Sequence, residues 1–379
     1  MLRVNSLLCV EGKSAMAGFS QLFFVAVLAL IMSSCNSDDD GAEERSFNRT
    51  EMLTWYADEL IVPSFESSKN AAVALEEATN SFTATPNENT LLAVQEQWKQ
   101  AYASFQNISA YNFGPGSSPS GSLLENLGTF PVDTTLLLNY INQGDFSLNN
   151  FDRDTRGYLG VEYLIFEKGG NKQLVLHRFA DENFKEYLSA IVGRILEVTQ
   201  SASDEWSSYR TDFISNNGTD PGSSVSLMYN EFIKAYEAHK NFKVALPAGK
   251  RAGQTNPQPS MVECYYSGMS ADFQQQFFEA FTNMYSGTNA NGENGIGWDD
   301  YLATVPNGDD LVSTTQSQFT QVENTFELLP NQRFSETVAQ QPPSLDNYYT
   351  ELSKLTRYVK SDMSSSLGIA ITYDSGDGD

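Results

Sequence analysis

Apolar residues recur at alternating spacings of three and four along most of the chain, the period of an α-helix and not of a β-strand. Leu91, Val94, Trp98, Ala101, Phe105 and Ile108 make one stripe, and Phe184, Leu188, Ile191, Ile195 and Val198 a second. Met228, Phe232, Ala235, His239 and Phe242 make a third, and further stripes run through 273–284, 312–326 and 345–359. A helix with one apolar face must cover it, so the pattern predicts an all-α fold built of helical bundles. The first helix is expected to begin near Arg49 and to break or kink at Pro63, with a second piece from Ser64 to about Ser81. Other breakers stand at Thr85-Pro86-Asn87, 112–121, Gly169-Gly170, 216–224 and Pro342-Pro343. The stretch 216–224 holds two Gly, one Pro and no large apolar residue. It predicts a linker between two halves, 47–215 and 225–379, each the size of a four-helix bundle. A short echo, Asn112-Phe113-Gly114-Pro115 against Leu246-Pro247-Ala248-Gly249, raises an internal duplication but is too brief to establish one.

The N-terminus follows a different pattern. Arg3 and Lys13 precede an apolar run over 22–32, and Ser33-Ser34-Cys35 follows. That run is too short to span a bilayer but suits the core of a secretory signal. Met32-Ser33-Ser34-Cys35 resembles a bacterial lipobox, so 1–34 reads as a lipoprotein signal peptide with translation from Met1 or Met16. Cys35 would be the lipidated first residue, and 35–46 a flexible tether. Asp38, Asp39 and Asp40 resemble the acidic tag that sends some lipoproteins to the outer face of the outer membrane; the plainer reading is a solvated tether. The expected location is the outer membrane, lipid-anchored and surface-exposed, or otherwise facing the periplasm.

Composition narrows the function. The 379 residues carry 23 Lys plus Arg against 48 Asp plus Glu, a net charge of −25. Such a surface repels phosphate backbones, so nucleic acid is excluded as a partner. With 24 Phe, 18 Tyr and 4 Trp the chain can bury a large core. Cys9 falls in the signal and Cys35 carries lipid, which leaves Cys264 without a disulfide partner, as a small buried hydrophobe. Of the two histidines, His239 sits on an apolar stripe and reads as a core residue, and His177 receives no role. Asp374, Asp377 and Asp379 lack the spacing and closing Glu of an EF-hand and read as a solvated acidic end.

The chemistry concentrates in 156–166, Arg-Gly-Tyr-Leu-Gly-Val-Glu-Tyr-Leu-Ile-Phe. From Tyr158 to Phe166 only Glu162 is charged, and apolar residues cover every side, so Glu162 is expected inside the protein. A buried carboxylate needs a cation, several donors or its own proton. It is therefore either a structural pair, with Arg156 or a Lys of the other half, or a ligand or metal carboxylate.

These residues resemble the Gly-x-His-x-x-Glu signature of the imelysin-like family, with Gly157, Leu159 and Glu162 at its positions. Trp98 to Pro115 is similar to the family's early Trp-helix, and 243–250 with Glu263 and Tyr266-Ser267-Gly268 to its second block. The segments 295–302 and 367–379 look like its closing blocks, so the resemblance covers roughly 47–379. It implies an all-helical fold of two bundle-like halves, a site between them, and an envelope protein associated with iron uptake; some relatives are described as metallopeptidases. In the family pattern His and Glu at i and i+3 share a helix face and can grip one metal ion. Here Leu159 has replaced the His. A zinc peptidase with about three protein ligands is then not supported.

The expected function is binding of iron, an iron complex or an outer-membrane receptor of iron uptake, without catalysis. Arg156, Gly157 and Glu162 are the expected site residues, with Lys243, Gly249 and Glu263 from the second half and Glu162 as the metal candidate. Arg156 or Lys243 would balance the Glu162 charge. A metallopeptidase with atypical ligands and a cell-surface scaffold or glycan-binding accessory protein are the alternatives.

Overall fold

Helix starts follow the capping chemistry of the sequence. In the computed structural model, which describes residues 47–117, 123–149 and 151–373, α1 (Arg49–Trp55) opens where the Asn48 side chain accepts the Glu51 N–H. The lipobox, the acidic run after it and the C-terminal aspartates lie outside the described residues. After α1 the chain widens into a π-turn, Tyr56–Ile61, and continues as α2 (Val62–Ala84). The expected break at Pro63 is thus absorbed without interrupting the helical backbone. The wider turn relieves the crowding a proline ring imposes on the carbonyl four residues back, and Pro63 stands in the first turn of α2, where no N–H is required.

α3 (Glu88–Ile108) is capped reciprocally: Asn87 accepts from the Asn89 and Thr90 amides, and Thr90 Oγ1 accepts from the Asn87 N–H at 3.1 Å. α4 (Leu123–Leu127) and α5 (Thr134–Gln143) follow, α5 capped by Asp133 and closed by Gly144 at φ 67°. α6 (Gly157–Ile165), α7 (Lys172–Arg178) and the 34-residue α8 (Glu182–Ser215) complete the first half. α2 packs against both α3 and α8, and α6 against α3 and α8.

Ser223 caps α9 (Ser224–Ala238), which passes through a second π-turn, His239–Ala245, into the single turn α10 (Leu246–Ala248). α11 (Ser270–Ser286), α12 (Trp298–Ala303), α13 (Gly308–Glu327), α14 (Phe334–Gln340) and α15 (Pro343–Thr356) follow. A third π-turn, Arg357–Asp362, leads to α16 (Met363–Leu367). The fold is all-α, with no named strand among the described residues. No described helix is long and apolar enough to cross a membrane.

Aromatic contacts carry one hydrophobic core across both halves: Phe273 of α11 meets Trp98 and Tyr102 of α3 edge-on, at 5.8 and 4.7 Å between ring centres. The echo that raised a duplication has no common local form, since Gly114–Ser117 is a 3-10 turn and Leu246–Ala248 a helical turn. One stripe departs from its expected face. Phe242 is 41% exposed while Phe232 and His239 are fully buried. The extra residue per turn in His239–Ala245 rotates Phe242 out of phase, where its ring lies under the Arg251 guanidinium at 4.6 Å.

Candidate functional site

α6 is the most enclosed helix near the site: eight of its nine residues are buried. α3 ties down both its ends, because Trp98 Nε1 donates to the Tyr158 carbonyl at 2.7 Å and Gln95 Nε2 to the Ile165 carbonyl at 2.6 Å. The second bond satisfies a carbonyl that the helix end leaves unpaired. Gly157 begins α6 at φ +74°, and a Cβ there would lie 2.6 Å from the Leu127 carbonyl oxygen. Only glycine lets the end of α4 close on this turn.

Glu162 is 2% exposed, and its Oε1 accepts the Ser267 N–H at 2.7 Å. The donor comes from a tight turn in which the Gly268 N–H meets the Cys264 carbonyl at 2.8 Å. Arg333 gathers the outward carbonyls of this turn, donating to Tyr265 O at 2.8 Å and Tyr266 O at 2.9 Å, and also to Lys168 O at 3.0 Å. Gly268, at φ +80°, makes room for that guanidinium, since a Cβ would stand 2.7 Å from Arg333 Cζ. Burial lifts the Glu162 carboxyl to about 7; hydrogen bonds from Ser267 and Tyr266 pull against that rise, and the nearby Glu263 adds to it.

Glu263 is 1% exposed and lies beside this turn. Lys243 Nζ pairs with its Oε1 at 2.8 Å, the Tyr102 hydroxyl of α3 donates to the same oxygen, and Oε2 has no hydrogen-bond partner. The Tyr102 phenol is pushed far up by burial and then by Glu263, so it stays a donor. Neither expected cation balances Glu162. Lys243 is committed to Glu263, and Arg156, buried at the head of α6, donates to the Leu148 carbonyl, with Nε and Nη2 unpartnered. Gly249 closes α10 at φ +71°, and a Cβ would meet the Asn256 carbonyl group at 2.6 Å, so its role is chain routing.

A pocket of about 460 Å³ opens onto Glu162 and Leu159. Phe130, Leu159 and Val262 give it an apolar wall, Tyr265 and Tyr266 an aromatic one, and Asp133 and Asp154 further carboxylates. Burial raises the Asp154 carboxyl, and Asp133 and Asp152 reinforce the rise. Of the residues expected at the site, only Glu162 lines this pocket; Glu263, buried, pairs with the half-buried Lys243 beside it, Arg156 and Gly157 stand at the head of α6, and Gly249 packs on the Asn256 backbone outside the lining. Arg333, Asp133, Asp154, Phe130 and Tyr265 were not anticipated. Only Asp133, an Asp ahead of a helical stretch, carried a local signal, and that signal concerned capping.

A metal bound in the family manner does not fit these donors. Leu159 offers no lone pair, Glu162 Oε1 is engaged by the Ser267 amide, and Asp133 Oδ1 accepts the Thr135 and Leu136 amides. Among the described residues no group of three or more His, Cys, Asp or Glu side chains is close enough to hold a metal ion. Burial pushes the Cys264 thiol well up, away from the thiolate, and keeps His239, stacked on Phe277 at 4.7 Å, neutral. What the pocket presents is a carboxyl that burial lifts to about 7, able to accept from a ligand when ionised or donate to one when protonated, between apolar and aromatic walls.

A family model for imelysin, peptidase family M75, matches residues 61–357, well over half of the chain. The chain belongs to the imelysin family. An iron-regulated protein A precursor of Parabacteroides distasonis has a similar structure, with a TM-score of 0.70 at 18% identity over 84% of this chain and 95% of that one. An imelysin-like protein of Psychrobacter arcticum follows at 0.67 and 13% identity, over 86% of this chain and 97% of that one. At these identities the likeness is one of imelysin fold. No curated protein matches the sequence.

Proposed function

We propose that this imelysin-family protein is a lipid-anchored binding protein of the outer membrane, and that the Glu162 pocket takes an iron complex without catalysing a reaction on it. The observation that carries the proposal is the pairing of a buried, amide-held Glu162 with Leu159 in one pocket of about 460 Å³. Such a site suits a ligand that brings its own metal donors, because the protein supplies a hydrogen-bonding carboxyl and apolar and aromatic walls instead of a coordination set. The Parabacteroides neighbour is described as iron-regulated, which supports an iron-linked setting. The lipobox at Cys35 and the acidic run after it support the location. A receptor of iron uptake is the natural recipient of the complex.

Titration of the protein with ferric citrate and with a ferric catecholate, beside elemental analysis, tests the reading. Glu162→Gln is expected to weaken binding of one of these complexes about tenfold while leaving the fold intact. Cleavage of a protein substrate that a chelator abolishes would overturn it in favour of an atypical metallopeptidase. Absence of saturable binding by the unmodified protein would overturn it as well.

A further inference from the structure

A second pocket, of about 610 Å³, lies where α2, α3 and α11 meet the loop that follows α11, and it shares no lining residue with the Glu162 pocket. The first π-turn, Tyr56–Ile61, contributes Glu59 and Leu60 to its wall. Such turns often stand at functional sites. Asn289, 4% exposed, fixes the loop side: its Nδ2 donates to Glu293 at 2.8 Å and to Glu59 at 3.3 Å, and its Oδ1 accepts the Asn291 and Glu293 amides at 3.0 Å. The wall is therefore formed before any ligand arrives.

Tyr111 is the independent sign of a ligand. It is 4% exposed, with its ring edge-on to Phe113 at 6.4 Å, yet it lines the pocket, and among the described residues its hydroxyl has no hydrogen-bond partner. That hydroxyl is open to the pocket and not sealed in the core. Burial pushes the phenol up, so it stays neutral, a donor and an acceptor at once. A phenol so deeply buried is normally satisfied.

The surrounding groups say what would satisfy it. Among the described residues the side chains of Ser64 on α2, Asn107 on α3 and Asn283 on α11 likewise make no hydrogen bond. Each is neutral and can both donate and accept. No Lys, Arg or His lines the pocket, whereas Glu59 and Glu279 do, so an anionic ligand is repelled. Pro63, Ala103 and Ala280 leave small apolar surface between the polar groups. A sugar matches this alternation, because its hydroxyls both donate and accept while its ring C–H faces are apolar. We propose that the pocket between α2, α3 and α11 binds a neutral oligosaccharide of about two or three sugar units, one hydroxyl of which pairs with Tyr111 while others meet Ser64, Asn107 and Asn283.

Isothermal titration of the full protein with maltotriose, cellotriose and mannotriose, beside trigalacturonate as the charged analogue, tests this. Saturable binding of at least one neutral trisaccharide is expected, with trigalacturonate at least about tenfold weaker. Tyr111→Phe should weaken that binding about tenfold without lowering the melting temperature, because the hydroxyl bonds nothing in the protein. Asn107→Ala, at an exposed position of α3, should weaken it to a similar degree. No saturable binding of any neutral trisaccharide overturns the proposal, and so does trigalacturonate binding as tightly. Unchanged affinity in Tyr111→Phe overturns it too; should that variant fail to fold, unchanged affinity in Asn107→Ala does the same. The measurement involves no iron complex and no residue of the Glu162 pocket, so either proposal can fail alone.

Discussion

Burial lifts the Glu162 carboxyl to about 7, and the hydrogen bonds it receives from Ser267 and Tyr266 offset only part of that rise. Raising a folded carboxyl from 4.5 to about 7 corresponds to about 3 kcal/mol between its two states. The folded form then binds more protons than the unfolded chain between those values. The stability Glu162 lends is complete below pH 4.5 and is lost as pH rises to about 7. Glutamine keeps the shape of the neutral acid and cannot ionise. Thermal melts of Glu162→Gln and the unmodified protein should therefore differ more at pH 8 than at pH 5, the variant gaining relative stability as pH rises. Parallel melting profiles would mean that Glu162 ionises normally in the fold. The same comparison cancels the general repulsion of a chain of net charge −25.

At the scale of the element, the π-turns decide which side chains an apolar stripe buries. Tyr56–Ile61 precedes Pro63 and His239–Ala245 precedes Pro247, so two of the three wide turns stand just before a proline, and Arg357–Asp362 does not. The second rotates Phe242 to the surface, whereas Phe232, in the regular helix α9 before that turn, stacks on Phe281 at 4.2 Å. Urea denaturation should separate the two although they share one sequence stripe. Phe232→Ala is expected to cost about 3–5 kcal/mol, and Phe242→Ser less than about 1 kcal/mol. Equal losses would place Phe242 in the core.

At the scale of the molecule, two buried contacts join residues far apart in sequence: the Tyr102 hydroxyl to Glu263, and the Ser267 amide to Glu162. The turn between Glu263 and Gly268 thus closes the back of the Glu162 pocket. The proposed lipid anchor rests on the N-terminal sequence, Met32-Ser33-Ser34-Cys35. Cys35→Ser should abolish incorporation of labelled palmitate in a bacterial host and move the protein from the membrane to the soluble fraction. Retention of label would place the lipid elsewhere or remove the lipoprotein reading.

The sequence by itself determined the helical class, because the apolar period is three and four along most of the chain, leaving the helices only one another to pack against. It also determined the burial of Glu162, since nothing else between Tyr158 and Phe166 is charged, and the family, through ordered blocks from Trp98 to the 295–302 segment. Only the tertiary structure decided what each polar group meets. Lys243 went to Glu263, Arg156 to the Leu148 carbonyl, and Glu162 to an amide 105 positions away. Asp133, Asp154 and Tyr265 entered the pocket wall without any periodic signal, and Arg333 reached the turn behind Glu162 from α14's approach. Periodicity records which face of a helix is dry. Partners are set by which loops fold back over that face, and a hydrogen bond across a hundred residues leaves no trace in local spacing.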